Sequence, residues 1–203
     1  VEMVVELGSL DTQWDVDRYA QAFETVHDYI GAGDIYQVNL TFPIVTCSDV
    51  SSDALYAKLC HRQAVPHGAL VRFDETALLS RSPELFFSLT VTGKLTTRPM
   101  KGTAPRGDTS AQDDLIRDAL QSSEKNRAEN LMIVDLLRND MSRVSKIGSV
   151  KVPEVFVVES FATLHQMTSC ITSQILPNTT LKELFQALFP CGSITGAPKI
   201  RAM

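Results

Sequence analysis

Three short stretches and one isolated side chain carry residue types that can do chemistry. In RAENLMIVDLLRND, residues 127–140, Glu129 stands beside a nearly continuous apolar run and four positions before Ile133. On a helix this spacing turns the carboxylate toward the interior or the rim of a cavity. An anion there must be paired or bound to a metal, and deep burial without a partner raises its pKa instead. The plainer alternative is a glutamate near a helix start that favours the dipole and stays in water. In TTRPMKGTAPRG, residues 96–107, Lys101 is followed at once by Gly102 and Thr103. Backbone without a Cβ lets a ligand come close, and a desolvated amine beside it can serve as nucleophile or base. The ordinary alternative is a solvated surface lysine.

PCGSITGAPK, residues 190–199, places two glycines, Ser193 and Thr195 ahead of an expected helix start at Pro198. Free backbone N–H groups there would seat a carboxylate or a phosphate, unless the stretch is only a glycine-containing connection. It matches neither GxxxxGK[ST] nor GxGxxG, which argues against a nucleotide. His165 falls on a strand among apolar neighbours, as a catalyst or as a satisfied core residue. Asp135, Arg138, Asn139 and Asp140 are assigned structural roles at a polar helix end.

Periodicity supplies the elements that must hold these groups. VEMVVEL reads as a strand, and Val16 to Ile30 carries Tyr19, Phe23, Val26 and Ile30 at helical spacing up to Gly31. IYQVNLTFPIVT is rich in β-branched and aromatic residues and predicts one long strand to Pro43, and Ser52 caps a short helix. From Gly68 to Arg106 the signals are those of an antiparallel meander with a TGK turn. A helix after Asp108 is followed by a second from Glu124 to about Asp140, buried over much of its circumference. VKVPEVFVVESF and LHQMTSCITSQIL follow as strands, the second with His165, Met167, Ile171 and Ile175 on one parity. Thr180 with Glu183 is a capping box opening LKELFQALF. The fold class is α+β, an antiparallel two-sheet core with outer helices, taken as one catalytic domain over residues 1–203.

The 203 residues include 19 Lys plus Arg and 24 Asp plus Glu, for a net charge of −5. The basic residues are scattered, so nucleic acid is not an expected partner. An acidic chain that binds an anionic small molecule needs a cation or a local set of donors to overcome its own field. No apolar run approaches the ~20 residues of a membrane helix, and the first residues lack the basic head and cleavage site of a secretory signal. No membrane partner and a cytoplasmic address are expected. Cys47, Cys60, Cys170 and Cys191 form no CxxC pair and are expected to be reduced and mostly buried.

Five blocks taken together, IYQVNL (35–40), SPELFF (82–87), RPMKGT (98–103), RAENLMIVDLLRND (127–140) and GSITGAPKIRAM (192–203), resemble the chorismate-utilising enzymes in order and spacing. The likeness is greatest to the branch that aminates chorismate at C4 ahead of 4-aminobenzoate and folate. It implies a fold of two packed antiparallel sheets with helices outside. Members that add water to chorismate have a general-base lysine where this chain has Gln37, so hydration is disfavoured. Anthranilate synthases resemble a PIAGT pattern where this chain reads PMKGT. The resemblance implies that Lys101 attacks ring C2 as the C4 hydroxyl leaves, that Glu84 is the acid and base, and that His165 stands near the departing hydroxyl. It further implies Gly102, Thr103, Ser193 and Gln37 as substrate contacts, Glu129 as a ligand of Mg²⁺, and a glutamine amidotransferase subunit or domain as the ammonia source.

Two positions depart from the family pattern. Asn126 stands where a second acidic residue is usual, which weakens the expected metal shell, and Cys191 replaces a glycine, which puts local backbone geometry in question. Family members have segments before and after the matched part, so residues 1–203 alone are expected to be incomplete and inactive. The rival readings are anthranilate synthase chemistry and a non-catalytic chorismate-binding remnant.

Overall fold

A computed structural model describes residues 7–62 and 64–203. In chain order the elements are β1 (Asp11–Thr12), α1 (Val16–Gly31), β2 (Gln37–Val38), β3 (Ile44–Val45), α2 (Ser52–Arg62), β4 (His67–Phe73), β5 (Thr76–Ser82), β6 (Leu85–Leu89) and β7 (Lys94–Arg98). There follow β8 (Met100–Pro105), α3 (Ser110–Ser122), α4 (Glu124–Ser142), β9 (Lys151–Ser160), β10 (Leu164–Gln174), α5 (Leu181–Leu188), α6 (Gly192–Thr195) and β11 (Gly196–Ala197). All described strand pairs are antiparallel, as the α+β reading expected. The strand expected at VEMVVEL lies, but for Leu7, outside the described residues.

The chain divides into two compact units. The first comprises the described residues up to Gly31 together with Leu40–Glu84. It holds α1, α2, the β1–β3 bridge and the β4–β5 hairpin, whose two-residue turn starts at Asp74 with φ of 47°. Trp14 stacks on Phe42 at 5.7 Å, and the Arg18 guanidinium lies over the Trp14 ring. No described residue of this unit is buried.

The second unit, Ala32–Asn39 with Leu85–Met203, contains the core. Its five-stranded sheet is organised by β10. β9 runs along one side of that strand, and β7 and β8, separated by the buried Pro99, run along the other. α4 brings Ile133, Val134, Leu137 and Met141 into one cluster with Leu95 and Ile171, and α5 adds Leu184, Ala187 and Leu188. Each of the fully buried Ile, Val, Leu and Met side chains is worth about 1.5–3 kcal/mol over leaving it in water. Ser123 and Thr109 cap α4 and α3, and Thr180 with Glu183 forms the complete capping box of α5.

Several expectations are corrected. IYQVNLTFPIVT is not one strand: β2 pairs with β11 and β3 with β1, so its halves find partners in different units. The cap of α2 is Ser51, whose hydroxyl accepts from the Ala54 N–H. The meander is two separate hairpins, β4–β5 in the first unit and β6–β7 in the second, and β8 pairs with β10 instead of with its neighbour. The helix expected from Pro198 is a single turn closed by the Ala202 N–H on the Pro198 carbonyl, preceded by β11. All four cysteines are free; Cys170 and Cys191 are buried, Cys60 is partly so, and Cys47 is exposed.

Candidate active site

Lys101 owes its setting to a bulge. Gln166 of β10 pairs with Thr103 and Thr168 pairs with Met100, so Lys101 and Gly102 together lie opposite Met167. An extra residue of this kind bends a strand and re-aims its side chains. Gly102 takes φ of 94°, and a Cβ there would lie 3.1 Å from Cβ of Asn126 on α4. The glycine therefore serves both the turn of the bulge and the close approach of the helix. Gln166 fixes the bulge from the other side: its Nε2 donates to the Gly102 carbonyl at 2.9 Å, and its Oε1 accepts from the Thr103 hydroxyl at 2.8 Å. Lys101 is half-buried and takes part in none of the described hydrogen bonds or ion pairs.

Asn126 and Glu129 lie one turn apart on α4, and residues three apart share a helix face. The half-buried Glu129 is thus carried by the helix that packs on the Lys101–Gly102 bulge. Next to it, fully buried Asn130 accepts from the Ser169 hydroxyl of β10 at 2.5 Å, which ties this stretch of α4 to the sheet.

His165 is fully buried and both ring nitrogens are engaged. Nδ1 lies 2.8 Å from Oγ of Ser160, and Nε2 lies 2.9 Å from Oδ1 of Asp113 on α3. Asp113 also accepts two parallel bonds from Arg106 and one from the Gly107 N–H. The Arg106 guanidinium, then the Gly107 N–H and the imidazole, hold the Asp113 carboxyl far below the usual carboxylate range. Sequence reasoning missed Asp113, Arg106, Ser160 and Gln166. An aspartate in the first turn of a helix reads only as a dipole partner, and nothing in the spacing joins it to a histidine 52 positions on.

The remaining candidates stand elsewhere. Ser193 is buried in α6, where its Oγ lies 3.1 Å from the Cys191 sulfur and its carbonyl accepts from Asn39. The GSITG stretch forms α6 and the start of β11. Its Thr195 carbonyl and Gly196 are taken up by Asn39 and by β2. Cys191 caps α6 with φ of −63°, so the non-glycine residue brings no backbone strain. Gln37 pairs through its backbone with Ala197. Gly192 packs against Leu136, about 10 Å along α4 from Glu129 by helical rise. Glu84 belongs to the first unit, with its N–H on the Ser82 hydroxyl. A groove of about 660 Å³ beside α4, lined in part by Tyr36, Leu131, Leu136 and Ile200, includes none of these eight residues.

Asp140 is structural, as expected, and so is Lys199. The Lys199 ammonium reaches the Asp140 carboxylate at 2.8 Å and the Ala187 and Leu188 carbonyls at 3.2 Å each. Burial pushes the Asp140 carboxyl above its ordinary value against the opposing pull of Lys199.

Mg²⁺ asks for oxygen ligands, usually one or two carboxylates with waters and substrate oxygens completing an octahedron. Among the described residues no three of His, Cys, Asp or Glu are grouped to share an ion. Glu129 offers one carboxylate, and the Asn126 amide nitrogen donates to the Ser123 hydroxyl oxygen at 2.9 Å. Glu129 could hold such an ion only together with waters and substrate oxygens.

The anthranilate synthase component I of Streptococcus pneumoniae TIGR4 superposes with a TM-score of 0.82 at 27% identity, covering 99% of this chain and 44% of its own. The menaquinone-specific isochorismate synthase of Escherichia coli gives 0.80 at 18% identity, covering 98% of this chain and 46% of its own, a likeness of fold alone. The fold is therefore the one shared by anthranilate and isochorismate synthases. Residues 2–203 match the chorismate binding enzyme family, and the chain belongs to it. Aminodeoxychorismate synthase component 1 of Klebsiella aerogenes is 44% identical over 187 residues, or 92% of this chain. The Bacillus subtilis protein of that name is 36% identical over 197 residues, 97% of this chain. The chain spans 41% of the first relative and 42% of the second. No helix among the described residues is long and apolar enough to cross a membrane.

Proposed function

We propose that the protein aminates chorismate at C4 to 4-amino-4-deoxychorismate, toward 4-aminobenzoate and folate, with ammonia from a glutamine amidotransferase partner. Support comes from 44% identity, over 92% of the chain, to a relative named for this reaction. The observation that carries the chemistry is Lys101: a half-buried amine on a bulge, engaged in none of the described hydrogen bonds or ion pairs.

In the proposed reaction the neutral Lys101 amine forms a bond to ring C2, both ring double bonds shift by one position, and the C4–O bond breaks. The hydroxyl leaves as water with a proton assigned to Glu84. Ammonia then bonds to C4, both double bonds shift back, and the lysine amine departs from C2. The surplus ammonium proton returns to Glu84, so chorismate and ammonia give product and water. Covalent catalysis of this kind splits one difficult displacement into two easier ones. His165 is assigned to the side of the departing hydroxyl, and Gly102, Thr103, Ser193 and Gln37 to substrate contacts. Glu129 is assigned as one ligand where a metal ion and substrate arrive together.

The test is product analysis of the natural-length protein with chorismate, Mg²⁺ and ammonium, beside Lys101→Ala. Aminodeoxychorismate from the first and at least a 100-fold loss in the second is expected. Anthranilate or isochorismate, unaffected by the substitution, would overturn both the reaction and the role of Lys101.

A further inference from the structure

A buried histidine whose two ring nitrogens are already bonded cannot offer either of them to a ligand without first giving up a protein partner. His165 is in that position, with Ser160 on Nδ1 and Asp113 on Nε2. The two partners are not equivalent. Asp113 is anchored as an anion by the forked guanidinium of Arg106, at 2.8 Å and 2.7 Å, and by the Gly107 N–H at 2.8 Å. A carboxylate can only accept, so Nε2 must carry the proton. In the neutral imidazole Nδ1 is then bare and accepts from the Ser160 hydroxyl. Arg106 also donates to the Phe161 carbonyl at 2.5 Å, and the Phe161 N–H closes on the Leu164 carbonyl at 2.8 Å. One guanidinium thus fixes both the carboxylate and the β9–β10 turn that carries Ser160 and His165. Of the three groups in line, the carboxylate is largely covered, the imidazole is fully buried, and Ser160 alone is exposed.

We propose that Asp113 is a positioning residue that locks His165 as the Nε2–H tautomer, and that His165 acts outward through the Ser160 hydroxyl instead of touching a ligand itself. The proposal rests on the aminating reading for what the hydroxyl serves, and deepens it. The single Ser160 proton lies toward Nδ1, so Ser160 donates to the leaving C4 oxygen only once solvent has placed a proton on Nδ1, which then donates to the Ser160 oxygen. The buried imidazolium–aspartate arrangement is available when the solvent supplies the His165 proton. Asp113 never meets substrate, because its acceptor sites face Arg106, Gly107 and His165.

The first measurement needs no turnover. His27, His61 and His67 are exposed, so replacing all three by Gln leaves His165 as the single imidazole for ¹⁵N spectroscopy of the labelled chain. A protonated Nε2 with a bare Nδ1 is expected, and Asp113→Asn should collapse this into a mixture or the opposite tautomer. A protonated Nδ1 in the parent spectrum, or an unchanged tautomer in Asp113→Asn, overturns the proposal. Asp113→Glu, which keeps the carboxylate, should restore much of the parent spectrum; failure to do so while folded also counts against it. In the natural-length protein, Asp113→Asn and Ser160→Ala should each lower kcat for amination about 100-fold with KM little changed. If the tautomer behaves as described but the parent forms no aminodeoxychorismate, the functional reading fails while the positioning role stands. If the parent aminates and Asp113→Asn alters neither tautomer nor kcat, the reverse holds.

Discussion

Replacing Lys199 with Met removes one charge from a pair whose side chains are 10% and 4% exposed. The apolar stem is kept, so the loss is electrostatic and not a cavity. Nζ donates to Asp140 at 2.8 Å and to two carbonyls of the last turn of α5, which uses all three ammonium protons. Without them the Asp140 carboxylate stays buried and unpaired, and removing one partner of a buried pair costs about 3–5 kcal/mol. Against a total stability of about 5–15 kcal/mol that is a large share. The cost must also depend on pH. Burial already raises the folded pKa of Asp140, and the opposing pull of Lys199 disappears in the variant. A group with a raised folded pKa contributes in full below its unfolded pKa, near 4, and loses that contribution as pH rises through the folded value. Lys199→Met should therefore be most damaging at neutral pH and least so near pH 4. Urea unfolding followed by far-ultraviolet circular dichroism reads both. Adding Asp140→Leu should recover most of the loss, since apolar substitutes for buried pairs are commonly neutral or better. A loss under about 1 kcal/mol at pH 7, or one that grows on acidification, would refute the reasoning.

Three further outcomes are expected. Gly102→Ala forces a side chain into φ of 94° and against Asn126, and should cost at least about 1–2 kcal/mol in the same urea assay. Leu137→Ala empties a site 1% exposed at the centre of the α4 cluster and should cost about 2–5 kcal/mol, seen as a lower midpoint with unchanged slope. Thr180→Ala breaks the capping box and should cost about 1 kcal/mol at pH 7. The Thr180 N–H and hydroxyl hold Glu183 below its ordinary value. That contribution exists above the unfolded pKa and fades as pH falls through the lowered one, so the Thr180→Ala deficit should shrink in acid.

What the sequence revealed and what it hid divide along the range of the interactions. α1 keeps its expected start at Val16, and the Thr180–Glu183 box is complete, because caps and apolar periods are written within a few residues. His165 shares a strand face with Met167 and Ile171 as alternation predicts. IYQVNL misled because β-branched and aromatic residues report a taste for pleated surroundings, not the location of a partner strand, and β2 finds its partner at Gly196–Ala197. The site divides in the same way. Lys101 and Gly102 stand out through local type, whereas Asp113 and Gln166 matter through contacts made 52 and 64 positions away.

The central place of β10 also sets a timetable for synthesis. α4 carries its apolar face out of the ribosome with Ile133, Val134, Leu137 and Met141, but Ile171 and the long strand that completes their cluster come later. Roughly 30 residues separate the end of α4 from Ile171, about 2 to 6 seconds of elongation at roughly 5–20 residues per second. For that interval the helix is a sticky intermediate that has α3, the β6–β7 hairpin and β8 at hand but lacks β10. Slower codons between residues 142 and 171 would lengthen the exposure and raise the share of nascent chains that aggregate.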